Sequence, residues 1–270
     1  MTFSTALQKI SLGFIAILLA VAGFVAAVPS ASALEDIGDI ESGDLIRGES
    51  FSAVYYYGAD GFRYVFPNDK TYFTWYDDFD DVKWISDEDM GGIQIGGNVT
   101  YKPGVRMIKI NTDPKTYAVA AGGVLRHVGS ESLATELYGS SWNKMIDDVP
   151  DGFFTNYTVG DAIEDSSGYD ASDAEASVEN INEDKDLQAP EEISITDDGY
   201  EPIDVTIEVG QGVRFTNNAS DKHNATSDDL SWGTGTLQPG DDYIASFDEE
   251  GTYTFFDGYD STNTGAIYVE

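Results

Sequence analysis

The chain carries two histidines, His127 and His223, and no cysteine. Thiolate metal ligation, a cysteine nucleophile and disulfides are therefore excluded. His127 falls on an expected strand beside Arg126, and Ser130 sits in no nucleophile elbow, so a hydrolytic triad finds no support. The run Asp77-Asp78-Phe79-Asp80-Asp81 offers oxygen ligands but lacks the central glycine and final glutamate of an EF-hand loop, and reads as a solvated turn. Carboxylate pairs of the kind that hydrolyse glycosides are so abundant that none is singled out. Taken by residue chemistry alone, the chain is expected not to be an enzyme. A carbohydrate-active reading would need turnover that depends on a single carboxylate.

The charge balance narrows the partners. With 14 basic against 49 acidic residues, the formal net charge is −35. Such a surface repels nucleic acid and anionic membranes. Dense carboxylates keep a protein hydrated in high salt, where screening removes their mutual repulsion. They also attract divalent cations such as Ca²⁺. The acidity is uneven, for beyond position 160 the basic residues are Lys185, Arg214 and Lys222.

These side chains must be held by elements that begin after an export signal. Lys9 precedes an apolar run over residues 10–28, and Ala31-Ser32-Ala33 supplies a small-residue cleavage pattern. Residues 1–33 are thus expected to be a signal peptide, and the protein secreted, extracellular or on the cell surface. Left uncut, the same run is long enough to anchor the chain in a membrane. Four Asn-x-Ser/Thr sequons, at Asn98, Asn156, Asn218 and Asn224, are candidate glycan acceptors in that setting.

Residues 43–160 read as a two-copy repeat. Gly61-Phe62-Arg63-Tyr64-Val65 is echoed by Val124-Leu125-Arg126-His127-Val128, Asn68 by Ser130, Ile85 by Ile146, and Asn98-Val99-Thr100 by Asn156-Tyr157-Thr158. Each copy is expected to open with a hairpin: 54–57 with 62–66 around Gly58-Ala59-Asp60-Gly61, and 116–119 with 124–128 around Gly122-Gly123. A short helix capped by Asn68 or Ser130 follows, with Gly139 as a stop in the second copy. The result is an α+β module. Its tyrosine-rich stretches, Ala53-Val54-Tyr55-Tyr56-Tyr57-Gly58 and Tyr64-Val65-Phe66-Pro67-Asn68, resemble a module of uncharacterised exported proteins of bacteria and archaea. The resemblance implies a cell-surface setting and no chemistry. Residues 161–190, rich in Asp, Glu, Ser and Ala, are expected to be an acidic linker.

From residue 191 the pattern changes to short alternating strands. Ile193 and Ile195, then Ile203, Val205 and Ile207, then Val213 and Phe215, and later Tyr253 and Phe255 repeat with a period of two, which indicates an antiparallel β-sandwich. Several stretches in order resemble the cupredoxin family of plastocyanin-like and azurin-like proteins: Pro202-Ile203-Asp204-Val205-Thr206-Ile207, Val213-Arg214-Phe215-Thr216-Asn217-Asn218, His223-Asn224-Ala225-Thr226 and Gly251-Thr252-Tyr253-Thr254-Phe255. The resemblance implies an all-β Greek-key sandwich over residues 191–270.

It also implies a copper site held by a histidine after the Asn-Asn strand and by Cys, His and Met near the last loop. His223 matches the first of these. The alignment puts Asp257 at the Cys position, Asp260 at the second His and Asn263 at the Met, so an intact blue-copper centre is not expected. His223, Asp257 and Asp260 remain a candidate site for Cu(II) or Ca²⁺, against the alternative of a rim histidine beside solvated aspartates. The sequence thus leads to an exported, non-enzymatic surface or matrix protein that binds or supports a cell-surface component, with no cofactor expected. A metal-binding cupredoxin-like protein is the alternative.

Overall fold

The computed structural model describes residues 33–270. The expected export signal lies outside the described residues except for Ala33. No helix among the described residues is long and apolar enough to cross a membrane.

In the first sheet, the tyrosine-rich middle strands bury their central residue and leave its neighbours half-buried. Strands β1 (Leu45–Arg47), β2 (Tyr55–Tyr57) and β3 (Arg63–Val65) lead into helix α1 (Asp69–Trp75), then β4 (Val82–Trp84), α2 (Asp87–Gly92) and β5 (Ile95–Asn98). The strand order is β4-β1-β2-β3-β5, with β1·β2 and β2·β3 antiparallel and the outer β1·β4 and β3·β5 pairs parallel. A second sheet follows, from β6 (Met107–Ile110), β7 (Thr116–Ala120), β8 (Val124–Val128), helix α3 (Glu131–Tyr138), β9 (Ile146–Val149), helix α4 (Asp151–Phe154) and β10 (Thr158–Val159). Its order, β9-β6-β7-β8-β10, and its pairing senses match the first sheet strand for strand.

Local chemistry fixes the helix starts. The Asn68 side chain accepts from the Thr71 N–H at 2.9 Å and Ser130 Oγ from the Leu133 N–H at 3.2 Å, each filling one donor that the first helical turn leaves open. Gly139, at φ 76°, ends α3 in a conformation that other residues resist. Asn98 and Asn156 meet directly, Asn98 Nδ2 donating to Asn156 Oδ1 at 3.1 Å. Two of the four sequon side chains are therefore bonded to each other.

Residues 161–190 are not an unpacked linker. They contain helices α5 (Ala171–Ala176) and α6 (Ile181–Lys185), and they bury Ile163, Tyr169, Val178, Ile181 and Asp184. Composition suggested too little apolar surface to order the segment. A few well-spaced large side chains suffice, because cores already built by the two sheets receive them: Tyr169 enters the second, and Ile181 the first.

The C-terminal part is two four-stranded sheets. Its strands are β11 (Glu191–Thr196), β12 (Gly199–Glu201), β13 (Asp204–Ile207), β14 (Gly212–Asn217), β15 (Thr226–Ser227), β16 (Asp242–Ser246), β17 (Gly251–Phe256) and β18 (Thr264–Val269). One sheet runs β12-β11-β14-β16 and the other β13-β18-β17-β15. The expected all-antiparallel pattern is corrected here, since β11·β14 and β13·β18 pair in parallel. Ile203 also departs from the period of two: it lies before β13 starts and is 60% exposed, while Val205 and Ile207 face the core.

The core between the sheets holds Ile193, Phe215, Phe255 and Ile267 with Trp232 packed against them. The outer edge of β16 is covered from the first sheet's side. Gln94 Oε1 accepts from the Ile244 N–H at 2.8 Å and Gln94 Nε2 donates to the Ile244 carbonyl at 3.1 Å, so one side-chain amide pairs with the strand as a neighbouring backbone would.

Candidate functional site

The candidate site lies where two loops of the C-terminal part meet. The first leaves β14 after Asn217, a fully buried residue whose side chain shapes the loop. Its Nδ2 donates to the carbonyls of Asp221 and Leu237, both at 2.9 Å, and its Oδ1 accepts from the Ala219 N–H at 3.0 Å. His223 then exchanges backbone bonds with Leu237, its N–H donating at 3.1 Å and its carbonyl accepting at 2.9 Å. The backbone of the histidine is held before its ring meets any partner.

The second loop begins one residue past β17. Asp257 is fully buried, its N–H donating to the Asn263 carbonyl at 3.0 Å. Its Oδ1 accepts from the N–H of Tyr259 at 2.9 Å and of Asn224 at 3.3 Å. Its Oδ2 lies 2.5 Å from His223 Nδ1. A carboxylate has no proton to give, so Nδ1 carries the proton and donates it. The ring of His223 retains only 13% of its surface in water. Nearby, Tyr200 donates its hydroxyl to the Asn224 carbonyl at 2.5 Å, and burial together with the charge of Asp257 pushes that phenol well above its ordinary range.

Of the three residues singled out by sequence, His223 and Asp257 are brought into contact. Asp260 is not. Its Oδ1 accepts from the Thr262 N–H at 3.1 Å and the Thr262 hydroxyl at 2.6 Å within its own turn, and those two bonds hold its carboxyl below the usual range. The charge of His223 adds to that lowering in a smaller measure. Among the described residues, no three His, Cys, Asp or Glu side chains gather as a group able to hold a metal ion. Asn263 contributes its carbonyl to the Asp257 N–H.

Nothing in the local sequence pattern marks Asn217 or Tyr200 as supports of the loops. Asn217 was visible only as the first member of an Asn-Asn pair. The Asn224 sequon side chain is also committed, its Oδ1 accepting from the Gly258 N–H at 2.7 Å. His127, the other histidine, lies on β8 with its ring 5.7 Å from that of Tyr117.

A family model described as a cupredoxin-like domain matches residues 171–269. The C-terminal part of this chain carries a cupredoxin-like domain. Among solved structures, the chain is similar to a purple cupredoxin from Nitrosopumilus maritimus, at 26% identity over 30% of this chain and 99% of that one, with a TM-score of 0.28. An amicyanin mutant in its Cu(I) form shows 22% identity over 30% of this chain and 82% of its own, with a TM-score of 0.29. A copper-containing nitrite reductase from Thermus scotoductus SA-01 shows 22% identity over 30% of this chain and 22% of its own, also at 0.29. Comparison with curated proteins gave no match. In this cupredoxin-like domain, the loops after β14 and β17 are joined by the His223–Asp257 contact.

Proposed function

We propose that the protein is an exported, non-enzymatic binding or structural protein of the cell surface or extracellular matrix, and that its cupredoxin-like domain is kept for shape. The observation that carries this reading is the His223 Nδ1 to Asp257 Oδ2 contact of 2.5 Å at a fully buried carboxylate. A blue-copper centre needs a thiolate and two imidazoles. The chain has no cysteine, its second histidine lies in the N-terminal part on β8, and its four methionines all precede residue 146. The donor set does not fit copper of that kind.

The imidazole and carboxylate instead satisfy each other across the two loops. This closes the sandwich rim without an ion. The alternative of a Cu(II) or Ca²⁺ site at His223, Asp257 and Asp260 is weaker, because Asp260 spends its carboxylate on Thr262 and His223 spends Nδ1 on Asp257.

The matching strand orders of the two N-terminal sheets support the two-copy module, in the company of a Greek-key sandwich. The cell-surface or matrix setting rests on the residue 1–33 export pattern and the −35 charge, and the partner is expected to be a component of that surface. Calorimetric titration of the chain without residues 1–33, with Cu²⁺ and Ca²⁺ in turn, tests the reading. Weak, non-saturating heats that His223→Ala leaves unchanged support it. Saturable one-to-one binding abolished by His223→Ala would overturn it.

A further inference from the structure

The acidic segment after the second sheet is seated across both halves of the N-terminal part as a peptide is seated in a groove. Its anchor is Ile181, fully buried against Leu45, Tyr56, Tyr64 and Val99. The next residue, Asn182, accepts at Oδ1 from the Ala59 N–H at 2.9 Å and donates from Nδ2 to Ser42 Oγ at 3.0 Å. Asp184, also buried, accepts at Oδ1 from the Gly122 N–H at 3.0 Å and at Oδ2 from the Thr100 hydroxyl at 3.2 Å. Lys185 Nζ lies 5.2 Å from the centre of the Tyr64 ring.

Both backbone donors lie in hairpin turns. Ala59 is the first residue of the turn between β2 and β3, and Gly122 the middle residue of the turn between β7 and β8. Gly122 adopts φ 72°, a conformation glycine takes readily. One helical turn thus presents two side-chain oxygens to the turns of two matching hairpins. Upstream, a Cβ on Gly104 would fall 2.0 Å from the Ala171 carbonyl, so the backbone of α5 also lies directly on the second sheet's loop.

We infer that the paired hairpin turns form a peptide-binding groove, and that its ligand class is a short acidic segment with an apolar residue three positions before a carboxylate, here supplied in cis by α6. An apolar socket gives affinity and two fixed N–H donors give register, in the manner of other helix-in-groove sites. Tethering keeps the cis segment at high effective concentration, so a free peptide competes poorly with it.

The test uses the chain without residues 1–33 and a fluorescent synthetic peptide of residues 178–188. An Ile181→Asp/Asp184→Ala double variant, with its fold checked by circular dichroism, vacates the groove. Fluorescence anisotropy is expected to show saturable binding of the peptide to this variant, at least tenfold tighter than to the unsubstituted chain. A peptide bearing Ile181→Asp is expected not to bind. Equal binding to both chains, or none to the folded variant, would overturn the inference. Asn182→Ala leaves Ile181 in place and supplies a second variant should the first not fold. It is expected to raise peptide affinity at least threefold over the unsubstituted chain, and no gain would count against the groove.

Discussion

Removing the imidazole of His223 isolates a buried charge. Asp257 has no surface in water, and after His223→Ala its carboxylate keeps only the N–H groups of Tyr259 at 2.9 Å and Asn224 at 3.3 Å. Breaking a buried pair by deleting one partner costs about 3–5 kcal/mol. The ring is 13% exposed, so water entering the vacated space offsets part of that, and the expected loss is about 3 kcal/mol. Urea unfolding of the chain, followed through the sandwich core around Trp232, reads this as a midpoint lower by about 1–3 M at the urea slopes usual for domains.

The companion change separates charge from packing. In Asp257→Asn the amide oxygen still accepts from both N–H groups and the amide nitrogen donates to His223 Nδ1, so the expected cost is about 1 kcal/mol. The double variant carries no stranded charge and is expected to be about 1–2 kcal/mol more stable than His223→Ala alone, a coupling a double-mutant cycle resolves. A His223→Ala loss below about 0.5 kcal/mol, or a double variant no better than the single, would show that the two side chains are not coupled as a buried pair.

Three further outcomes follow from the same structure. Thermal unfolding is expected to rise with added NaCl, because a net charge of −35 repels itself over a screening length that shrinks from about 10 Å at 0.1 M to about 3 Å at 1 M; a midpoint that falls with salt would contradict this. Burial pushes the Asp184 carboxyl above its ordinary 3.8, so its contribution to stability is full below that value and is lost as pH rises through the raised one. Relative to Asp184→Asn, the unsubstituted chain should therefore lose stability as pH climbs out of the acidic range, and parallel pH profiles in urea unfolding would exclude it. Gln94→Ala removes both bonds to Ile244 and is expected to cost about 1–2 kcal/mol and to speed amide exchange at Ile244, with unchanged exchange there as the contrary result.

Much of the fold was legible because its signals are local. The hairpins around Gly58-Ala59-Asp60-Gly61 and Gly122-Gly123, the caps at Asn68 and Ser130, and the alternation through Val213 and Phe215 each depend on neighbours within a few positions. The strap over residues 161–190 was not legible. Ile181 is a single apolar residue in an acidic stretch, and only the socket made by Leu45, Tyr56 and Val99, distant in sequence, gives it a place. At the site, alignment put His223 and Asp257 at related positions, whereas the separation of Asp260 depends on a local choice. Thr262, two residues on, captures the carboxylate first, as short Asp-x-Thr turns do. Ile203 was misread because the period of two says nothing about where a strand begins.

On the proposed function, His223 and Asp257 close the cupredoxin-like domain on their own. Proton NMR of the chain without residues 1–33 checks this, observing the His223 Nδ1–H while Cu²⁺ is added to one equivalent. The expected result is a far-downfield, slowly exchanging imidazole proton that is absent in Asp257→Ala and that persists unshifted through the titration. Loss of that resonance in step with stoichiometric copper, reversed by a chelator, would show that the ring is a metal ligand and that the pair does not close the rim alone.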